Sequence, residues 1–218
     1  ALGQVAHDAG KVLIVDAMSC FGALATDIPA CHIDYLVSSA NKCVEGVPGF
    51  SFIIARRARL METRGWSRSL TMDLLAQYEG LEGNGQFRFT PPTCSLLAFH
   101  QALVELEAEG GVPAREARYR NNFQTLFDGM VAMGFKPYLK PEVMGHIITT
   151  YHYPEDAKFN FATFYDLLNE DGYVIYPGKL TQAECFRLGN IGRITECDCR
   201  DLLAAIARAV ETMGVKLV

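Results

Sequence analysis

Long apolar runs are missing from this sequence. No stretch approaches the roughly 18 consecutive apolar residues of a membrane-spanning helix, and the longest candidates carry charges or prolines. Basic runs are missing too. The chain has 20 lysines and arginines against 25 acids, a formal net charge of −5. It therefore lacks the electrostatic footprint with which proteins grip nucleic acid. Cysteines number seven, but no two pairs stand at zinc-ribbon spacing. Cys197 and Cys199 form an isolated C-x-C, and the neighbouring Thr195 and Asp198 read as a capping box that opens a helix. Free thiols suit a reducing cytoplasm. His7, His32, His100, His146 and His152 are scattered, none beside an acid or cysteine at ligand spacing, and read as surface or satisfied core residues. No serine stands in a G-x-S-x-G, and there is no repeat or low-complexity segment.

What is present is an ordinary globular composition: 218 residues, 50% hydrophobic and 21% charged. That is enough for one large domain or two small ones. The opening "ALGQVAHDAGKVLIVD" reads as the middle of a helix running into a strand, so the chain is expected to be a fragment. "KVLIVD", "DYLVSS" and "FSFIIAR" are short continuous apolar runs, the pattern of strands buried on both faces of a helix-covered sheet. Residues 57–89 read as a helix and loops. Five arginines between Arg56 and Arg68 suggest a solvated face, with a binding patch as the alternative. "TPPT" halts the chain. Leu96, Phe99, Leu103 and Leu106 then mark a long helix that Gly110 and Gly111 break, and a second helix runs to about Gly134. Beyond it, "HIITTYHY", "YVIYPG" and "CFRLGNIG" read as strands, with helices over 160–172 and 200–214. The expected architecture is α/β: part of a large, mainly parallel domain over residues 1–110, then a small α+β domain over 111–218.

One lysine stands out in "DYLVSSANKCVEGVPG". Lys42 follows a buried-looking strand, although a lysine is costly to bury. Burial favours the free amine, the form that attacks a carbonyl, so Lys42 is a candidate Schiff-base nucleophile. The alternative is a side chain that snorkels to solvent. Asp16 also ends an apolar strand. In an α/β sheet the carboxyl ends of parallel strands face the ligand crevice, so the two residues open into one site if their strands run the same way. Pyridoxal phosphate needs such a pair: an amine for its aldehyde, and an acid that keeps the pyridine nitrogen protonated. A turn cap after the strand is the alternative for Asp16. Arg187 lies inside an apolar strand run and cannot shed its charge, so it needs an anion or solvent. Its planar fork suits a carboxylate or phosphonate, and an edge-strand arginine reaching water is the alternative.

"VLIVDAMSCFGA", "DYLVSSANKCVEGVPGFSF", "GQFRFTPPT" and "VIYPGKLTQAECFRLGNIG" together resemble the 2-aminoethylphosphonate–pyruvate transaminase family. That family belongs to the class V aminotransferases of the fold-type-I pyridoxal-phosphate group. The resemblance runs over nearly the whole chain, in order. It implies transfer of an amino group from 2-aminoethylphosphonate to pyruvate, giving phosphonoacetaldehyde and alanine in phosphonate catabolism, with pyridoxal 5'-phosphate as cofactor. It assigns Lys42 to hold the cofactor and shuttle the substrate proton, and Asp16 to partner the pyridinium. Met18 would lie against the ring, with core packing as the alternative, and Asn41 would bond the phosphate, with a turn role as the alternative. Thr90 would reach the phosphate of the other subunit's cofactor in a homodimer; a helix cap is the alternative. Arg187 would hold the substrate's acid group, with Gly189 and Gly192 letting the backbone approach closely. Cys20 and Cys94 stand where the family often has serine and histidine. Family chains are longer at the N-terminus, where a phosphate-cradling loop and a ring-stacking aromatic lie, so the remaining sheet is expected to expose apolar edges and faces. The reading leaves open an alanine–glyoxylate or serine–pyruvate type transaminase, a Schiff-base lyase, and an inactive fragment that only folds or dimerises.

Overall fold

The computed structural model describes residues 2–178 and 183–217. The chain forms two compact units, Ala1–Val112 and Pro113–Val218. No helix among the described residues is long and apolar enough to cross a membrane.

The first unit opens with helix α1 (Leu2–Asp8) and continues into strands β1 (Ile14–Asp16), β2 (Tyr35–Ser39) and β3 (Ser51–Ala55). β2 is the middle strand. It pairs parallel with β1, matching Asp16 to Val37, and antiparallel with β3. The sheet of this chain is therefore mixed rather than mainly parallel. The β2–β3 connection is a short one, and only an antiparallel partner can be reached without a crossover helix. Helices α2 (Arg57–Met61), α3 (Leu74–Asn84) and α4 (Thr93–Glu109) follow.

Burial on both sheet faces does not hold for this unit. One face packs Ala17, Ile33 and Leu36 into a small core. On the other, Ile14, Tyr35, Val37 and Ile53 line an open groove of about 540 Å³, flanked by Trp66 and Met72. Ile14 is 65% exposed and Trp66 69%. The apolar runs encode a two-sided sheet, but these residues cover only one side. The arginine cluster keeps much of its side-chain surface in solvent, in line with a solvated face, and four of the five arginines pair with acids. Arg56 and Arg59 reach the buried Asp34 at 3.3 and 3.6 Å, Arg57 pairs with Glu82, and Arg64 with Glu79.

The second unit takes its core from helix α5 (Gly111–Met133), strands β4 (Ile148–His152), β5 (Tyr176–Pro177) and β6 (Cys185–Gly189), and helices α6 (Phe161–Glu170) and α7 (Glu196–Met213). β6 runs between β4 and β5, antiparallel to both. Alternation along β6 sends Phe186 and Leu188 into the core and Arg187 to the opposite face. Phe186 is ringed by Phe135, Tyr151 and Phe164, with centroids 5.5–5.8 Å away. Aromatic packing of this kind supplies much of a small domain's burial.

Thr195 and Asp198 do form a capping box: the Thr195 side chain accepts from the Asp198 amide, and Asp198 Oδ2 accepts from the Thr195 amide at 2.7 Å. Thr195→Ala is expected to cost about 1 kcal/mol, read as faster hydrogen exchange across the first turns of α7.

Candidate active site

Parallel pairing of β1 and β2 points their C-terminal ends the same way, and the segments that leave them are stitched together. The Ala17 amide donates to Val37 O at 2.8 Å, and Ser38 Oγ donates to Ala17 O at 3.3 Å. Cys43 Sγ reaches Ser19 O at 3.2 Å. Asp16, Met18, Asn41 and Lys42 are thereby carried on two adjoining loops at one end of the sheet. That location is where ligands of α/β sheets bind.

The Lys42 loop is held from its flanks. Gly46 N donates to Ala40 O at 2.9 Å, Glu45 N donates to Lys42 O at 2.8 Å, and Glu45 adopts a left-handed φ of 65°. Such a conformation is sparsely used by non-glycine residues and marks a loop over-determined by its surroundings. Cys43 and Val44 are buried, whereas Lys42 itself is half-buried. Its amine makes no hydrogen bond or ion pair among the described residues. Gly22, with φ +93°, backs this loop, and a Cβ there would lie 3.0 Å from Val44 Cγ2. Gly22→Ala is expected to loosen the loop, because strain and crowding act together. Amide exchange at Cys43 and Val44 should accelerate by about tenfold, the equivalent of 1–2 kcal/mol.

Asp16 Oδ1 accepts the Met18 amide at 2.9 Å, which folds the chain back after β1. This is the turn-cap role, and it leaves Oδ2 without a protein partner among the described residues. Burial raises the neighbouring Cys20 thiol above its ordinary pKa, and the Asp16 charge adds to the shift. Met18 is half-buried and is not one of the residues packed on the Ala17–Ile33–Leu36 core. Asn41 is exposed. Thr90 is not grouped with these residues. It is exposed on the segment Gly85–Pro91, which lines an open pocket of its own. Nor does it cap α4, whose N-cap is Pro92 with no side-chain bond.

Arg187 belongs to the second unit. It is half-buried on the central strand, so the edge-strand reading fails. Its Nε donates to Pro177 O at 3.1 Å, and its guanidinium lies 6.0 Å from the centre of the Tyr176 ring. The strand β5 thus holds the near end of the fork and leaves both Nη groups with no ion pair among the described residues. Gly189 has room beside it, since a Cβ there meets nothing nearer than 3.7 Å. Gly192 is required by its φ of +114°.

The sequence reading missed how the turn after β6 is held. The buried Tyr119 and Asn122 and the half-buried Arg118 of α5 do it. Asn122 Nδ2 donates to Ile194 O at 2.7 Å, Arg118 Nη1 to Gly192 O at 2.8 Å, and Gly192 N donates to Tyr119 Oη at 3.0 Å. The signal was a polar stripe at helical spacing, Arg115, Tyr119 and Asn122, on a face that also carries Leu126 and Met130. Among the described residues no group of three or more potential metal ligands gathers.

Comparison with known proteins is consistent across sequence and structure. A family model described as Aminotransferase class-V matches residues 1–162. The 2-aminoethylphosphonate–pyruvate transaminase of Salmonella heidelberg (strain SL476) is 53% identical over 213 residues, covering 97% of this chain and 58% of that protein. Pyridoxamine–pyruvate aminotransferase from Mesorhizobium loti superposes with a TM-score of 0.88 at 22% identity, over 100% of this chain and 56% of the other. Ureidoglycine–glyoxylate aminotransferase from Bacillus subtilis gives 0.84 at 20% identity, over 100% and 57%. The chain thus spans little more than half the length of the relatives it matches.

Proposed function

The chain belongs to the class-V aminotransferases, and we propose that it serves pyridoxal-phosphate-dependent transfer of the amino group of 2-aminoethylphosphonate to pyruvate. The observation that carries this reading is the pairing of Asp16 and Lys42 at adjoining ends of two parallel strands, joined to 53% identity with a transaminase of that name.

The residues fit the cofactor. Among the described residues, no group engages the Lys42 amine, and Asp16 keeps one carboxylate oxygen free of donors. Bound pyridoxal phosphate supplies an aldehyde that condenses with amines and a ring that draws electrons from the carbon beside nitrogen. Lys42 would hold the cofactor through its amine and would then serve as the base for the substrate carbon bearing nitrogen. Asp16 would keep the pyridine nitrogen protonated. Met18 would pack beside the ring, Asn41 would bond the phosphate, and Thr90 would serve the phosphate of a second subunit, a role that requires a homodimer. Arg187 holds the acid group of the substrate. With Nε committed to Pro177 O, it presents its two Nη groups, an end-on fork that spans two oxygens of a phosphonate or carboxylate. The free thiols of Cys20, Cys31, Cys94, Cys185, Cys197 and Cys199 support a cytoplasmic setting.

A second reading, a polypeptide that folds without turning over, is favoured by the bare apolar sheet face around Ile14 and Trp66. Supplying 2-aminoethylphosphonate and pyruvate to the chain with pyridoxal phosphate separates the readings. The proposal expects L-alanine to form, faster than from carboxylate amines. Preference for a carboxylate amine points to another class V transaminase. Product released without pyruvate points to a lyase, and no product to the inactive reading.

A further inference from the structure

Three buried side chains of the second unit each carry a polar atom with no protein partner: His146 Nε2, Tyr151 Oη and Asn190 Oδ1. His146 was expected to be exposed or satisfied, and it is neither. The three residues are 9%, 0% and 2% exposed. An unsatisfied buried polar atom is expensive and rare, and three in one domain call for a common explanation.

They line one cavity. Its other walls come from Phe123, Leu126, Ile147, Leu188 and the buried Thr149, and its volume is about 10 Å³. That is room for one water molecule, which needs two to four polar partners to stay. The donor and acceptor types also match. Asn190 Nδ2 donates to Tyr119 O at 2.9 Å and to His146 O at 3.2 Å, which fixes the amide so that Oδ1, an acceptor, is the orphan. Tyr151 can donate its hydroxyl proton. Burial and the charge of Arg120 lower the pKa of His146, favouring a neutral ring, and in its Nδ1–H tautomer Nε2 accepts.

We propose that this cavity is a built site for a single structural water, which accepts the Tyr151 hydroxyl proton and donates to Asn190 Oδ1 and His146 Nε2. Three orphan atoms are then satisfied by one molecule with three of its four hydrogen-bonding positions. The water joins the segment before β4, β4 itself and the residue that follows β6. Asn190 is tied in turn to α5 through Tyr119 O. The strand that carries Arg187 is thereby pinned at its C-terminal end. The site concerns this unit alone and does not depend on the reaction proposed above.

Tyr151→Phe decides the matter by the sign of its effect. If the hydroxyl is an orphan in a dry cavity, removing it stabilises the unit or leaves it unchanged. If it bonds a water, removing it destabilises. Hydrogen exchange of the β4 and β6 amides in the 218-residue chain reads this directly. The expected result is a protection factor lower by about threefold to tenfold, the worth of one lost hydrogen bond. Unchanged or higher protection overturns the proposal. A crystal structure of the same chain gives the second reading: density for one water within hydrogen-bond reach of all three atoms supports it. A dry cavity, or Tyr151 bonded directly to His146 or Asn190, overturns it even if Tyr151→Phe destabilises.

Discussion

Lys42→Ala abolishes covalent capture of pyridoxal phosphate. After incubation with the cofactor and reduction with borohydride, the parent chain gains the mass of one reduced cofactor at Lys42, and the variant gains none. The expectation rests on where the residue sits. A surface lysine is a hydrated ammonium with little reason to hold an aldehyde. Lys42 is half-buried between the fully buried Cys43 and the Asn41 turn, its loop is closed by two backbone hydrogen bonds, and no carboxylate pairs with it among the described residues. Amino transfer should fall with capture, by at least the roughly 10²- to 10⁴-fold expected when a general base is removed. Capture at other lysines with equal yield in the variant would show that Lys42 is not special.

Arg187→Lys raises the KM for 2-aminoethylphosphonate by about 10- to 100-fold, with a smaller change in kcat, because a charged bidentate contact becomes a single flexible one. The argument is geometric. Arg187 spends Nε on Pro177 O and rests against Tyr176, so its two Nη groups arrive pre-oriented. A lysine keeps the charge but cannot hold the Pro177 carbonyl and two substrate oxygens together. Steady-state kinetics at varied donor concentration check this. Equal loss in kcat with an unchanged KM would move Arg187 from binding to the chemical step.

Much of this was legible from local signals. The apolar runs ending in Asp16 and Ser39, the capping box at Thr195 and the strand around Arg187 are all short-range patterns, and each appears as a defined element. Three features were not legible, each for a physical reason. Strand partners are set by what the rest of the chain offers, so the apolar runs of β1 and β3 alone read as buried on both faces, and the exposure of Ile14 and Ile53 was expected only from the family likeness. The central position of β6 is a matter of strand order, and the runs YVIYPG and CFRLGNIG mark strands without saying which lies between the others. The support behind Lys42 comes from Gly22 and Ser19, long-range contacts that no sequence period announces, and the α5 stripe that holds the Arg187 turn gives its helical spacing but not the turn it reaches. Thr90 illustrates the converse, a residue whose role rests on the family likeness alone, since its own surroundings form only an exposed loop.

The central claim is that Lys42, on the loop adjoining the one after Asp16, is the amine that holds the cofactor and passes a phosphonate amine through it. The most direct test is the visible absorbance of the purified chain with pyridoxal phosphate, before and after 2-aminoethylphosphonate, with Lys42→Ala alongside. The account predicts a visible band that requires Lys42 and disappears when the phosphonate amine is added. A band of equal strength in Lys42→Ala, or one that the amine leaves untouched, would contradict it.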